Sequence, residues 1–145
     1  MQEYILREAC TRCGKCVEAC PADAIFPLDG SWGTAQGTPA IDARKSPCVL
    51  CEGFQCTQVC PSGALQALYN VNEIKMGAAR VDELRCVTFH AQACSACVEA
   101  CPVPGALLQN AEGHPLVDEY KCVGCGLCVR ACPTEPSSID VVPRD

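Results

Sequence analysis

Sixteen cysteines stand in 145 residues, and all of them fall into four short runs. Run one is Cys10, Cys13, Cys16 and Cys20, and run four is Cys122, Cys125, Cys128 and Cys132, with identical spacing of two, two and three intervening residues. Run two, Cys48, Cys51, Cys56 and Cys60, has gaps of two, four and three, while run three, Cys86, Cys94, Cys97 and Cys101, has gaps of seven, two and three. Every run ends in a cysteine followed by proline, at Pro21, Pro61, Pro102 and Pro133. The hexapeptide from Cys16 to Pro21 recurs letter for letter from Cys97 to Pro102, so the chain carries an internal duplication. Cysteine at about 11 per cent of residues is a scaffold composition. The apolar fraction of 49% includes those cysteines and only 5% aromatics, so the aliphatic core is thin for a chain of this length. Something besides apolar packing must hold the fold together, which argues against a plain globular enzyme.

The compartment decides what the thiols do. Met1 to Cys10 contains Glu3, Arg7 and Glu8 and no apolar run, so it does not resemble a secretory leader. The longest uncharged stretch, Gly53 to Asn72, is broken by Gln55, Gln58, Pro61, Ser62, Gln66 and Asn70, and no membrane span is expected. A cytoplasmic location is the expectation, and there thiols stay reduced and serve as metal ligands rather than disulfides. Seventeen acidic residues against eleven basic ones, with a pI near 4.8, argue against nucleic acid as a partner.

The repeat extends beyond the cysteines. Val81-Asp82-Glu83-Leu84-Arg85-Cys86 aligns with Val117-Asp118-Glu119-Tyr120-Lys121-Cys122, and Ile41-Asp42 stands in the same place before run two. After each Cys-Pro comes a small residue and then an aliphatic one: Ala24-Ile25, Ala64-Leu65, Ala106-Leu107 and, more loosely, Ser138-Ile139. The unit reads as strand, cysteine loop, one or two helical turns from the third cysteine, strand. Three cysteines two residues apart let a tight loop wrap three corners of a 4Fe-4S cube, with Gly14, Gly124 and Gly126 permitting close backbone approach. The fourth lies about a helical turn further on and serves the cluster of a partner run, and proline then ends the turn. Two such units make one ferredoxin-like module. Zinc knuckles pair Cys-x2-Cys motifs across longer linkers, and radical chemistry wants an isolated three-cysteine motif with an open iron; neither describes runs of four. His90 and His114 read as surface or loop residues, and Trp32 as a plug over the first cluster.

The chain resembles the polyferredoxin electron-transfer subunits of molybdenum and tungsten oxidoreductases. It is most similar to the ferredoxin-type proteins that accompany periplasmic nitrate reductase and methylamine dehydrogenase. The resemblance is carried by Gly37-Thr38-Pro39, by Pro47-Cys48-Val49-Leu50-Cys51-Glu52, by Cys60-Pro61-Ser62-Gly63-Ala64-Leu65 and by Met76-Gly77-Ala78. Those periplasmic proteins carry an export leader, so the small subunit of tungsten aldehyde oxidoreductases is the relative that better matches a cytoplasmic chain. The resemblance implies an α+β fold of two ferredoxin-like dicluster modules with short strands, short helices and little conventional core. It also implies nested pairing of runs, first with fourth and second with third, in agreement with the regular outer and irregular inner spacings. The modules are then residues 1-40 with 105-145, and residues 41-104. The four 4Fe-4S clusters would be held by Cys10, Cys13, Cys16 and Cys132; by Cys48, Cys51, Cys56 and Cys101; by Cys86, Cys94, Cys97 and Cys60; and by Cys122, Cys125, Cys128 and Cys20. Sequential pairing is the rival, because the gap between Cys101 and Cys122 is short enough for runs three and four to form a module alone. With every iron closed, no nucleotide fingerprint and no nucleophile beside a base, the expected role is non-enzymatic electron transfer. The expected setting is a hetero-oligomer with a catalytic oxidoreductase subunit and a second redox protein, such as a flavin or NAD-linked subunit. A freely diffusing polyferredoxin is the alternative.

Overall fold

The computed structural model describes residues 9–144. The strand expected before run one lies outside the described residues. Four helices of a single turn carry the third cysteine of each run: α1 (Lys15–Ala19), α2 (Gln55–Gln58), α3 (Ala96–Ala100) and α4 (Leu127–Ala131). Three of them start from a residue in the left-handed region, Gly14 (φ 77°), Phe54 (φ 43°) and Gly126 (φ 83°). Three of the four, α1, α3 and α4, stop for one reason. A residue before proline is pushed out of helical geometry, and Cys20, Cys101 and Cys132 are accordingly extended, with ψ of 112°, 115° and 126°.

Among the described residues, six short strands form three separate antiparallel ladders. β1 (Ile25–Pro27) pairs with β2 (Pro39–Ile41), β3 (Ala78–Val81) with β6 (Ile139–Val142), and β4 (Leu107–Gln109) with β5 (Pro115–Val117). As the repeat predicts, Ile25, Leu107 and Ile139 each open a strand, whereas Ala64-Leu65 does not. The loops before runs two, three and four share one device. The carboxylates of Asp42, Asp82 and Asp118 accept from the backbone N–H two residues on, at 3.0 Å each. Each also pairs with the cation three residues on, Lys45, Arg85 or Lys121. The Asp82 and Asp118 carbonyls then accept the N–H of Cys86 and Cys122 at 2.9 Å, which launches the cysteine loop.

These pairings correct the nested arrangement. β3 and β6 flank runs three and four, the β4–β5 hairpin lies between those runs, and α3 packs on α4. The β1–β2 hairpin likewise connects run one to run two, with α1 against α2. Ladders and helix contacts thus group run one with run two and run three with run four, rather than residues 1-40 with 105-145 around 41-104. An antiparallel hairpin reverses the chain, so the run that follows it folds back on the run that precedes it.

Cysteine enters the core itself. One buried cluster joins Ala79, Cys97, Leu107, Cys128, Val129 and Ile139, and a second joins Ile74, Val103, Ala106, Val123 and Cys125. The two modules meet along a tight seam. The Cys48 N–H donates to the Cys125 carbonyl at 3.0 Å, and Met76 N–H to Val123 carbonyl at 3.1 Å. The Arg130 guanidinium reaches the Lys45 carbonyl at 2.9 Å, and Arg44 pairs with Asp140 at 2.8 Å. Glycine is required here twice. A Cβ on Gly124 (φ +75°) would stand 2.5 Å from the Gly77 backbone nitrogen, and one on Gly126 (φ +83°) would stand 2.3 Å from the Ala43 Cβ.

Candidate iron–sulfur centres

Sixteen free thiols are distributed over four groups, and three groups visibly mix two runs. Cys10, Cys13, Cys16 and Cys60 line one cavity of about 340 Å³. Burial raises the Cys16 thiol above its ordinary value, and Cys10 and Cys13 add to that. Around run two, burial pushes Cys56 up to about 11, and Cys48, Cys51, Cys20 and Cys16 raise it further. Cys48 is likewise raised by burial, with Cys51 and Cys20 adding to it. Cys20 thus sits with run two, not with run four. Around run four, burial pushes Cys128 up to about 12, and Cys125, Cys122, Cys101 and Cys97 contribute. Cys101, Cys122, Cys125 and Cys128 also line a common small cavity with Ala79, Val103 and Leu107. Cys101 thus sits with run four, not with run two. In run three, burial pushes Cys97 up to about 11 with help from Cys94 and Cys86.

The structure does not bring the nested ligand sets together: Cys60 stands with Cys10, Cys13 and Cys16, Cys20 with run two and Cys101 with run four. Cys20, Cys60 and Cys101, each just past its helix, stand with thiols of the other run of their module. Cys132 is the remaining fourth-position thiol, on the helix packed against run three.

The loops turn at matching points. The second residue after the first cysteine is left-handed in three runs, Arg12 (φ 58°), Leu50 (φ 52°) and Gly124 (φ 75°). Run three spends its longer gap on a 3-10 turn, Val87–His90. That turn stacks Phe89 on His114 with ring centroids 4.0 Å apart, and the His90 Nε2 lies 2.9 Å from the Leu84 carbonyl. Gln109 Nε2 donates to the Cys94 carbonyl at 2.7 Å and latches the β4–β5 hairpin to the loop. Trp32 is 40% exposed in the 3-10 segment Gly30–Ala35 and does not line the cavity around Cys10, so it is no plug.

Backbone N–H groups already point at sulfur. Ala24, Leu65 and Ser138 donate to Cys20, Cys60 and Cys132 at 3.3, 3.4 and 3.4 Å, and Ala79 donates to Cys122 at 3.3 Å. Burial opposes ionisation of Cys60 and Cys132, but hydrogen bonds from Leu65 and Ser62, and from Thr134 and Ser138, outweigh it and hold both thiols below the ordinary value. Four thiols arranged around a space, one per corner and drawn from two runs, suit a 4Fe-4S cube. Among the described residues no three His, Cys, Asp or Glu side chains converge as closely as a single metal ion requires.

Comparison with known proteins agrees with this chemistry. The 4Fe-4S dicluster domain matches residues 9–64, taking in runs one and two whole, and the 4Fe-4S binding domain matches residues 115–136. The methylamine utilization ferredoxin-type protein MauM of Methylobacillus flagellatus is 37% identical over 100% of this chain and 66% of its own length. The ferredoxin-type protein NapG of Escherichia coli is 35% identical over 99% of this chain and 68% of its own length. A subunit of the polysulfide reductase of Wolinella succinogenes is 28% identical over 94% of this chain and 68% of its own length. The chain spans about two thirds of the length of the relatives it matches. Two 4Fe-4S domain matches on a short-stranded α+β fold, with full-length similarity to ferredoxin-type proteins, make this chain a member of the 4Fe-4S ferredoxin-type electron-transfer family.

Proposed function

We propose that the chain holds four 4Fe-4S clusters in a row and conducts single electrons across the width of a larger oxidoreductase. The first centre takes Cys10, Cys13, Cys16 and Cys60. The second takes Cys48, Cys51, Cys56 and Cys20, the third Cys122, Cys125, Cys128 and Cys101, and the fourth Cys86, Cys94, Cys97 and Cys132. Each cluster, when bound, accepts and releases one electron through a closed iron–sulfur cube.

The observation that carries the reading is the succession of thiol neighbours between centres. Cys56 feels Cys16, Cys125 feels Cys48, and Cys128 feels Cys97, which strings the centres in the order first, second, third, fourth. Within a module the exchanged fourth cysteines hold two centres side by side. Across the seam, the Cys48 N–H bound to the Cys125 carbonyl joins the second centre to the third through one hydrogen bond. A row with two distant ends suits a wire between two partners better than a shuttle that docks and leaves by one face.

We place a catalytic subunit at one end, a tungsten or molybdenum oxidoreductase as the resemblance implies, and a second redox protein at the other. One relative is named as part of a polysulfide reductase, which supports membership in a multi-subunit reductase. The formal charge of −6 becomes more negative with each thiolate-bound cluster, so basic docking faces are expected on both partners.

The test is a Cys20→Ser variant of the anaerobically loaded protein. EPR signals are first assigned with Cys13→Ser, Cys51→Ser and Cys125→Ser. Cys20→Ser should alter the signal assigned through Cys51 and spare the one assigned through Cys125. The opposite outcome restores nested ligation and breaks the proposed row.

A further inference from the structure

The position two residues after each fourth cysteine alternates in a way that follows the order of the centres. It is Ser62 in run two and Thr134 in run four, but Ala22 in run one and Val103 in run three. Under the ligand sets proposed above, on which this inference rests, Cys60 and Cys132 serve the two end centres, whereas Cys20 and Cys101 serve the two central ones.

Both hydroxyls face sulfur. Ser62 Oγ lies 3.6 Å from Cys60 Sγ, and Thr134 Oγ1 lies 3.2 Å from Cys132 Sγ. A third hydroxyl does the same. Thr88, buried and two residues after Cys86, places its Oγ1 3.2 Å from Cys86 Sγ, where run four has Gly124. Cys86 is also a ligand of the fourth centre. At Cys101, by contrast, the facing group is the Val103 carbonyl at 3.6 Å, which has no proton to give. Among the described residues, every hydroxyl in contact with a cysteine sulfur belongs to an end centre.

An iron-bound thiolate carries no proton, so in each of these contacts the hydroxyl is the donor. The proton is available at Ser62, whose oxygen accepts from the Ala64 N–H at 3.4 Å. At Thr134 the hydroxyl is also 2.7 Å from Ser138 Oγ and 3.0 Å from the Pro136 carbonyl, and the negative sulfur is the stronger acceptor. A hydrogen bond to a ligand sulfur stabilises the reduced, more negative cluster and so raises its potential.

We propose that Ser62, Thr88 and Thr134 are potential-setting residues, which make the first and fourth centres easier to reduce than the second and third. Electrons then rest at the two ends of the wire, where partners deliver and collect them, and cross the central pair as a brief uphill passage.

EPR-monitored redox titration of the anaerobic, fully loaded chain tests this, with iron content measured on every sample. Thr88→Val and Thr134→Val should each shift the midpoint of the same signal to lower potential, and Ser62→Ala should lower that of a different signal. Thr88→Ser, which keeps the hydroxyl, should leave the midpoint in place. Ala22→Ser adds a donor beside Cys20 and should raise the midpoint of the second centre, a gain that remains readable if a valine variant loses iron. Unchanged midpoints with iron intact, or no rise in Ala22→Ser, overturn the tuning role. Full iron with Thr88→Val and Thr134→Val moving two different signals overturns the ligand assignment instead.

Discussion

Replacing Gly126 by alanine probes whether the two modules form one rigid wire. Gly126 caps α4 with φ +83°, a conformation that costs a non-glycine residue about 1–2 kcal/mol. The added Cβ would also stand 2.3 Å from the Ala43 Cβ, and relieving such overpacking costs about 1–3 kcal/mol more. The total of roughly 2–5 kcal/mol is a large part of the stability of a domain this size. At roughly 3 °C per kcal/mol the holoprotein should melt about 6–15 °C lower. Bleaching of the iron–sulfur absorbance during anaerobic heating reads it. The double variant Ala43→Gly with Gly126→Ala removes the collision but not the backbone strain, so it should recover about 1–3 kcal/mol as a coupling between the sites. A negligible shift in Gly126→Ala, or a double variant no better than the sum of the singles, would refute the claim that the seam is closed by this contact.

Anaerobically purified protein should contain about sixteen iron and sixteen acid-labile sulfide per chain with negligible zinc, and metal analysis showing about half that iron would remove two centres. Chelation should unfold the protein, because Cys97 and Cys128 are buried in one core cluster and Cys125 in the other; circular dichroism of the stripped protein reads it. Asp118→Ala removes the acceptor for the Tyr120 and Lys121 N–H groups and should loosen the loop, seen as faster loss of the cluster held by run four. Desolvation opposes ionisation of Asp118, but the Lys121 and Tyr120 N–H groups outweigh it and hold its carboxyl below the usual value. Its contribution should therefore be complete above the ordinary aspartate value and be lost progressively as pH falls from there through the lowered value, in stopped-flow measurements of cluster loss.

Much of the local structure was readable because each element answers to its own few residues. Proline after the fourth cysteine stops the helical turns of runs one, three and four, and the small-then-aliphatic pair after it starts β1, β4 and β6. Ala64-Leu65 carries the same pattern without a strand. In the second module the strand after run four pairs with the strand before run three. The aspartate ahead of each run was visible as repetition, but its work as an acceptor for the loop N–H groups needs the turn geometry.

Pairing was hidden for a physical reason. Spacing within a run decides how a loop wraps three corners of a cluster, and the likeness of runs one and four reports only that their loops are alike. Under the proposed ligation, which cluster the fourth cysteine serves is decided outside the run, by the hairpin that reverses the backbone. The β4–β5 hairpin makes that reversal between Cys101 and Cys122, and β1–β2 makes it between Cys20 and Cys48 despite the 3-10 segment Gly30–Ala35 inserted in its loop. Connection length was therefore the informative signal, and symmetry of spacing was not. The same logic gives meaning to a difference that looks idle in the linear sequence. Ser62 and Thr134 against Ala22 and Val103 has no order until each fourth cysteine is given a centre. Under the proposed sequential ligation the fourth cysteines with a hydroxyl beside them, Cys60 and Cys132, serve the end centres, and Cys20 and Cys101 serve the middle ones, so the alternation becomes a gradient along the row.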